Sequence, residues 1–515
     1  MTVAKTTVVL LIPEAMSLEP GQKLLPVPAE GTVIRLLVRL TEPLPAHLQK
    51  ALTATGAPLQ FLTGPGLAAP GRSGHAQMPR GTTARELDDF AMMLADAVLA
   101  QPSAADLPLL RHAAALGKPI IGPGETLAPP LAWDDIMLDP ERRCWYAYGK
   151  CGFGRLEQGL LGLLAFNWLG GKKGARQSYQ QLKRCISTSW GPGVYFVSEA
   201  DCCERNLDQA ALDPRAPIIS GFAALNRSAV YGSYIHRDLI WITQLGAAFA
   251  VFAAVVGALS RGHLFWGVIE SYTLLAILFL TIAARITRLQ GRWTACRLGG
   301  EQLRIARMCL PLFVVPPALA SIDRTSTTGL DDPSKDDFSF KALAEVKRAV
   351  REQGVPCLGA AYSPVTAARW LQLIVNDQIA YHNRNHKMLE HAELTLNYFT
   401  GCLFFAALVA AVMQFFQAAE WKWLLVVTAV GPALLAATHG AGTRLGIVHR
   451  IALSRDIELE LRPIGAALAT FIARSPVSDE AWIQLRRLAR QAADAMGRES
   501  TSWHSLVRRH TDALP

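Results

Sequence analysis

Four apolar runs, each about 20 residues long and set in two close pairs, constrain this chain more than any other feature. A helix of that length crosses the ~30 Å hydrocarbon core of a bilayer. Leu239–Leu259 (LIWITQLGAAFAVFAAVVGAL) and Leu264–Ala284 (LFWGVIESYTLLAILFLTIAA) are joined only by SRGH. Leu396–Phe416 (LNYFTGCLFFAALVAAVMQFF) and Trp423–Gly442, which runs less cleanly to AATHGAG, are joined only by QAAEWK. Connectors that short force antiparallel hairpins. Buried helices of a soluble protein are the alternative, but length, pairing and Trp or Tyr near the run ends favour membrane spans.

Charge gives the hairpins a side. Four spans place the N-terminus, the long middle segment and the C-terminus together. The flanks on that side carry His236, Arg237, Arg285, Arg288, Arg292, Arg384, Lys387, Arg444 and Arg450, against Arg261 and Lys422 in the two opposite connectors. By the positive-inside rule both termini are expected in the cytoplasm, with the chain in the plasma membrane, the inner membrane of a bacterium. Only 18% of residues are charged, and the net charge is +9. Basic charge suits nucleic acid or anionic lipid. Here it flanks apolar runs without zinc-finger spacing or an unbroken Lys/Arg tract, so the expected partner is the lipid bilayer, with no direct nucleic-acid binding. Nine cysteines, odd in number and without metal-type spacing, read as reduced thiols.

The hairpins look like a tandem repeat. Each has a short polar helix ahead of its first span (SYIHRDLIW; AYHNRNHKMLEHAE) and a long basic helix after its second (RITRLQGRWTACRLGGEQLRIAR; GTRLGIVHRIALSRDIELELRPIGAALATFIAR). The chain then divides into 1–150, a connecting α/β region 151–238 with an amphipathic helix at Phe153–Leu169, a first hairpin with its basic helix at 239–310, a linker with helices at 311–395, and the second hairpin with C-terminal helices at 396–515.

Residues 1–150 read as a Rossmann-like α/β unit, so the fold class is that unit joined to an all-α membrane region. Strands are predicted at Thr6–Ile12, Thr32–Leu40, Pro58–Leu62, Ala95–Ala100 and Pro119–Ile121, with helices at Ala46–Thr55 and Ala105–Leu116. Further along, a strand is predicted at Val194–Ser198 and helices at Lys341–Gln353, from about Thr366 into the third span, and from the N-cap Ser478. A ligand of a parallel sheet sits at the carboxyl ends of its strands. Gly64 and Gly66 follow one strand and Gly122 and Gly124 another, so their backbone could approach a phosphate. Ordinary turn chemistry explains the same glycines. There is no GxGxxG and no P-loop, so nucleotide hydrolysis is not supported.

Catalytic motifs are equally lacking: no GxSxG, HExxH or CxxC pair occurs, and no cofactor is expected. The densest polar cluster is QIAYHNRNH, where Gln378, Tyr381, His382 and Asn385 share a helical face. His382 and His386 stand at metal-binding spacing without a nearby carboxylate, so a hydrogen-bond network at the membrane mouth is the better reading. Inside the spans, Gly246, Ala250, Ala254 and Ala258 form a small-residue stripe suited to close helix contact, either between copies in a homo-oligomer or within one chain. Glu270 is the sole acidic residue well inside a span. It is a functional candidate, unless it snorkels to the interface or pairs with Arg261. Gln414 lies nearer the same outer interface.

Several stretches resemble bacterial SLATT proteins, the SMODS- and SLOG-associating transmembrane domains of conflict systems. FAALNRSAVYGSYIHRDLIWITQLGAAFAVFAAVVGAL is similar to the start of their membrane hairpin, RWTACRLGGEQLRIAR to the helix after it, QIAYHNRNHKMLEHAELTL to a second lead-in, and AMGRESTSWHSLVRRH to their tail. ADAVLAQPSAADLPLLRHAAALGKPIIG resembles a diverged SLOG-like sensor that lacks the GGxGTxxE motif of its enzymatic relatives. The resemblance implies a membrane effector or pore of an antiphage system, triggered by a nucleotide-derived ligand. A housekeeping channel or transporter, or a membrane-anchored nucleotide-processing enzyme, are the alternatives, and the missing acid/base set argues against the enzyme.

Overall fold

A computed structural model of the chain describes residues 5–16, 24–26, 32–55, 57, 59–64, 74–78, 82–101, 107–115, 118–125, 194–196, 217–260, 262–316, 319, 338–354, 356–358, 363–416, 422–476 and 478–512. The N-terminal part is a six-stranded parallel sheet. Its strands are β1 (Lys5–Leu11), β2 (Thr32–Leu40), β3 (Leu59–Thr63), β4 (Gly74–Gln77), β5 (Ala97–Leu99) and β6 (Ile120–Ile121), in the order β4-β3-β2-β1-β5-β6. Helices α1 (Ala46–Ala54), α2 (Ala84–Leu94) and α3 (Pro108–Ala115) connect them. The strands read as unbroken apolar runs because both faces are covered. Val9, Leu11, Leu36 and Val38 pack with Leu48 and Leu52 of α1, while Val8, Leu10 and Leu37 pack with Phe90 of α2 and Leu110 of α3. The winding direction reverses between β1 and β5, so the topological switch lies there.

Helix α2 begins with a capping box in which Thr83 and Glu86 satisfy each other's backbone amides. Neither α2 nor β4 was expected from the sequence.

The second core face of the sheet does not end at the α/β unit. It continues into α6 (Leu289–Cys309), α7 (Phe338–Gln353) and α11 (Asp479–Asp512) as one apolar cluster through Phe90, Leu303, Phe313, Val346 and Ala489. Phe90 and Phe313 stack tilted at 5.2 Å. Polar ties reinforce this docking. Arg351 of α7 pairs with Asp96, whose other oxygen accepts the Val8 N–H at 2.9 Å. Arg486 of α11 pairs with Glu86 at 2.9 Å and donates to Thr82 at 2.9 Å. A small antiparallel pair, β7 (Val194–Phe196) with β8 (Pro356–Leu358), completes the described strands. The expected helix at Phe153–Leu169 lies outside the described residues.

Four helices are long and apolar enough to cross a membrane. They are α4 (Pro217–Leu259), α5 (His263–Ile286), α8 (Pro364–Phe416) and α9 (Lys422–Arg444), the last continuing after a break into α10 (Ile447–Arg474). The polar lead-in SYIHRD is no separate helix: α4 runs through it without interruption, as α8 does through AYHNRNHKMLEHAE. The expected boundaries at 238 and 395 therefore fall inside continuous helices.

Gly246 lies against Thr273 and Ile277, and Gly257 against Trp266, so α4 and α5 run antiparallel. Gly431 of α9 lies against Leu403 and Ala407 of α8, and Gly440 of α9 against Gln244 of α4. The apolar halves thus contact in the order α5–α4–α9–α8. Both second spans end at a left-handed residue, Arg288 (φ 48°) and Gly446 (φ 61°), after which the following helix leads away from the apolar halves, antiparallel to the polar half of α4 or of α8. α6 then packs on α4 and α10 on α8. The same device in both halves gives the tandem repeat a structural form. It also gathers the α/β unit and α6, α7, α10 and α11 at one end of the spans.

Candidate functional site

The polar halves of α4 and α8 do not close on each other. Between them and α6 lies a cavity of about 340 Å³. Arg237 of α4 and Arg297, Arg304 and Arg307 of α6 line it, against two carboxylates, Glu301 and Asp377. The α6 residues belong to one helical stripe, because positions 297, 301, 304 and 307 follow the three-and-four spacing of a helix face. Arg304 pairs with Glu301 at 2.9 Å, donates to the Gln378 side-chain oxygen at 3.4 Å and stands over the Phe222 ring at 5.5 Å. Arg307 stands over the Trp370 ring at 5.5 Å. Burial, helped by the nearby Arg304 charge, pulls the Arg307 guanidinium down to about 10. Asn226, Ser233, Tyr234 and Tyr381 add neutral polar groups to the wall.

The expected network of Gln378, Tyr381, His382 and Asn385 is divided between two faces of α8. Gln378 and Tyr381 face the cavity. Asn385 faces α10, donating to Ser454 at 2.8 Å. His382 is fully buried, and burial pushes its imidazole down to about 4, so it is neutral at physiological pH. The strongest polar junction involves a residue the sequence reading missed, Glu458 of α10. Its carboxylate accepts from Asn383 at 2.8 Å and from Arg462 Nε at 3.0 Å, and lies 3.0 Å from His386 Nδ1. Burial pushes Glu458 up, but the hydrogen bonds from Arg462 and Asn383 and the nearby cationic groups outweigh it and hold the carboxyl below its usual range. His386 is thus engaged by a carboxylate. Among the described residues, no group of three or more His, Cys, Asp or Glu is placed to hold a metal ion.

At the carboxyl end of the sheet, two of the candidate glycines make hydrogen bonds within the chain. The Gly64 N–H donates to the Leu40 carbonyl at 3.1 Å, and the Gly122 N–H to the Glu125 carboxylate at 2.8 Å. Gly124 adopts φ 81°, a turn conformation that favours glycine. Gly66 lies outside the described residues. The switch-point edge holds Glu14 and Asp88 around Arg39, at 3.1 and 2.7 Å.

Within the apolar halves, Gly246 packs on α5 and Ala250 is buried, whereas Ala254 is partly covered and Ala258 is exposed. The lower stripe therefore serves contact inside one chain. Gln414 donates to Thr428 of α9 at 3.3 Å. Glu270 lies partly exposed on α5, a helix whose residues are nowhere buried. Among the described cysteines, Cys296 and Cys309 are buried thiols and Cys402 is exposed. Comparison of the chain with protein-family models, with curated proteins and with solved structures finds no match.

Proposed function

We propose that the chain is a four-pass membrane effector. In this reading its cytoplasmic assembly senses a nucleotide-derived ligand, and its spans, arranged as two hairpins, respond by opening a conduction path. The observation that carries this reading is mechanical. α4 and α8 run without a break from the walls of the basic cavity into apolar runs of membrane length, 43 and 53 residues in all. A change in cavity width is then a change in the tilt of two spans. A ligand drives it only if it binds the open arrangement more tightly.

Four spans in a row, α5–α4–α9–α8, enclose too little space for a wide pore, so the path belongs to a homo-oligomer. The large apolar side chains of α5, including Leu264, Tyr272 and Phe279, are available to lipid or to a neighbouring copy. Both termini lie in the cytoplasm of a bacterial inner membrane, following the basic flanks. The resemblance to SLATT proteins makes antiphage conflict the biological setting.

The test is a reversible clamp on one lever. Asn385→Cys and Ser454→Cys, introduced where the native side chains meet, are bridged by a short cleavable thiol reagent in full-length protein reconstituted into vesicles. Ion flux elicited by the activating ligand should fall on bridging and return on cleavage. Flux unchanged by a complete bridge removes the lever mechanism.

A further inference from the structure

We propose that the cavity between α4, α6 and α8 is the ligand site itself, built for an anion carrying at least two phosphate charges and a planar aromatic group. This deepens the reading above by moving the expected phosphate contact from the sheet edge to the helical assembly, and rests on that reading only for what binding causes.

Three guanidinium groups on one stripe of α6, Arg297, Arg304 and Arg307, with Arg237 at the end of the cavity nearer the spans and two carboxylates in the same wall, leave a surplus of positive charge. Arginine forks match phosphate oxygens two at a time, so this set suits a polyanion better than a single carboxylate. Burial, with the Arg304 charge added to it, already disfavours the charged Arg307 guanidinium, and a bound anion would offset both. Phe222, Trp293, Tyr234 and Tyr381 make part of the wall aromatic, which suits a flat ring, and Asn226, Ser233 and Gln378 add groups able to hydrogen-bond at its edge. A volume of about 340 Å³ is at the lower end of small-molecule sites and suits one mononucleotide unit.

A phosphate here could come from a free nucleotide or from a lipid headgroup, and distance along α6 separates the two. Leu289 follows the second span almost directly, and Arg304 and Arg307 lie ~23 and ~27 Å further on at 1.5 Å per residue. Headgroups occupy only about 5–8 Å beyond the hydrocarbon core. Arg304 and Arg307 are thus beyond a headgroup's reach, whereas Arg237, two residues ahead of the Leu239–Leu259 run, is within it. The free nucleotide is the better source.

The experiment uses full-length protein in nanodiscs of neutral phosphatidylcholine, with ATP and inorganic pyrophosphate as probes and binding followed by calorimetry. Arg307→Gln should weaken ATP at least tenfold. Because an arginine variant could disturb folding, Ala229→Trp, which fills the cavity and leaves every charge in place, should abolish binding. Pyrophosphate should bind more weakly than ATP. In a second arm, phosphatidylglycerol replaces part of the lipid. Loss of ATP binding there, reversed in Arg237→Gln, assigns the same phosphate chemistry to a headgroup. Binding that survives both Arg307→Gln and Ala229→Trp overturns the site, as does the absence of arginine-dependent binding in both arms. Flux is measured separately, so binding without flux would count against the effector reading alone, and flux without binding against this site alone.

Discussion

Glu458 is the carboxylate on which the contact between α8 and α10 turns, and Glu458→Ala measures its worth. The side chain is 4% exposed and receives Asn383, His386 and Arg462. Removing one member of a buried, hydrogen-bonded charge group costs about 3–5 kcal/mol in general. Arg462 is 57% exposed, so water replaces most of its loss and its share falls below about 1 kcal/mol. Half-buried Asn383 loses its acceptor, and a hydrogen bond to a charged group is worth about 1.5–3 kcal/mol, whereas His386 Nδ1 keeps the His382 carbonyl at 3.0 Å. Together these place Glu458→Ala at about 3 kcal/mol, Arg462→Ala below about 1 kcal/mol, and Glu458→Gln, which keeps the shape but not the charge, between them. Equilibrium unfolding of the full chain in mixed micelles, with its reversibility established first, reads all three. Equal and small effects for Glu458→Ala and Arg462→Ala would refute the argument, since only a water-filled junction would make them alike.

Other parts of the structure lead to similarly direct expectations. His382 has a folded value near 4 against 6.5 unperturbed, so the unfolded chain takes up its proton first on acidification. Stability is therefore full above about pH 6.5 and falls toward pH 4 by about 3 kcal/mol, a loss that His382→Gln should flatten in thermal melts across that window. Arg351→Ala leaves Asp96 half-satisfied beneath the sheet and should cost about 2–4 kcal/mol, read as faster proteolysis between the α/β unit and α7. Gly246→Leu drives a side chain into Ile277, 3.1 Å from where its Cβ would stand, and should destabilise by about 1–3 kcal/mol, whereas exposed Ala258→Leu should leave micellar stability unchanged.

Legibility in the sequence followed the range of the forces involved. Strand β2 was readable to its ends because TVIRLLVRL carries its own signal, and the spans were readable because length and hydropathy are local properties. β4, with the sequence GHAQ, has almost no strand propensity and exists through its pairing with β3. α2 was missed although Thr83 and Glu86 spell a capping box, a signal that was there to be used. The continuity of α4 was hidden by the polar SYIHRD stretch, which reads as a break until α6 is seen to cover it. The cavity was hidden more deeply. Arg297, Arg304 and Arg307 look like the flank of a span when read alone. Only the left-handed turn at Arg288 sets them against α4, and only tertiary contact adds Gln378 and Tyr381 from α8. Glu458 was passed over for the same reason: its partner Asn383 lies 75 residues earlier in the chain.

In the proposed arrangement the apolar halves of α4, α5, α8 and α9 cross a bilayer while the sheet and the basic cavity stay together on its inner side. Single cysteines at Arg261, Lys422 and Lys50, each in a chain whose nine native cysteines have been replaced, test it in intact cells with a membrane-impermeant thiol reagent. Labelling is expected at 261 and 422, and at 50 only after the membrane is opened. Labelling at 50 alone would reverse the orientation, and equal labelling of all three in intact cells would contradict four spans altogether.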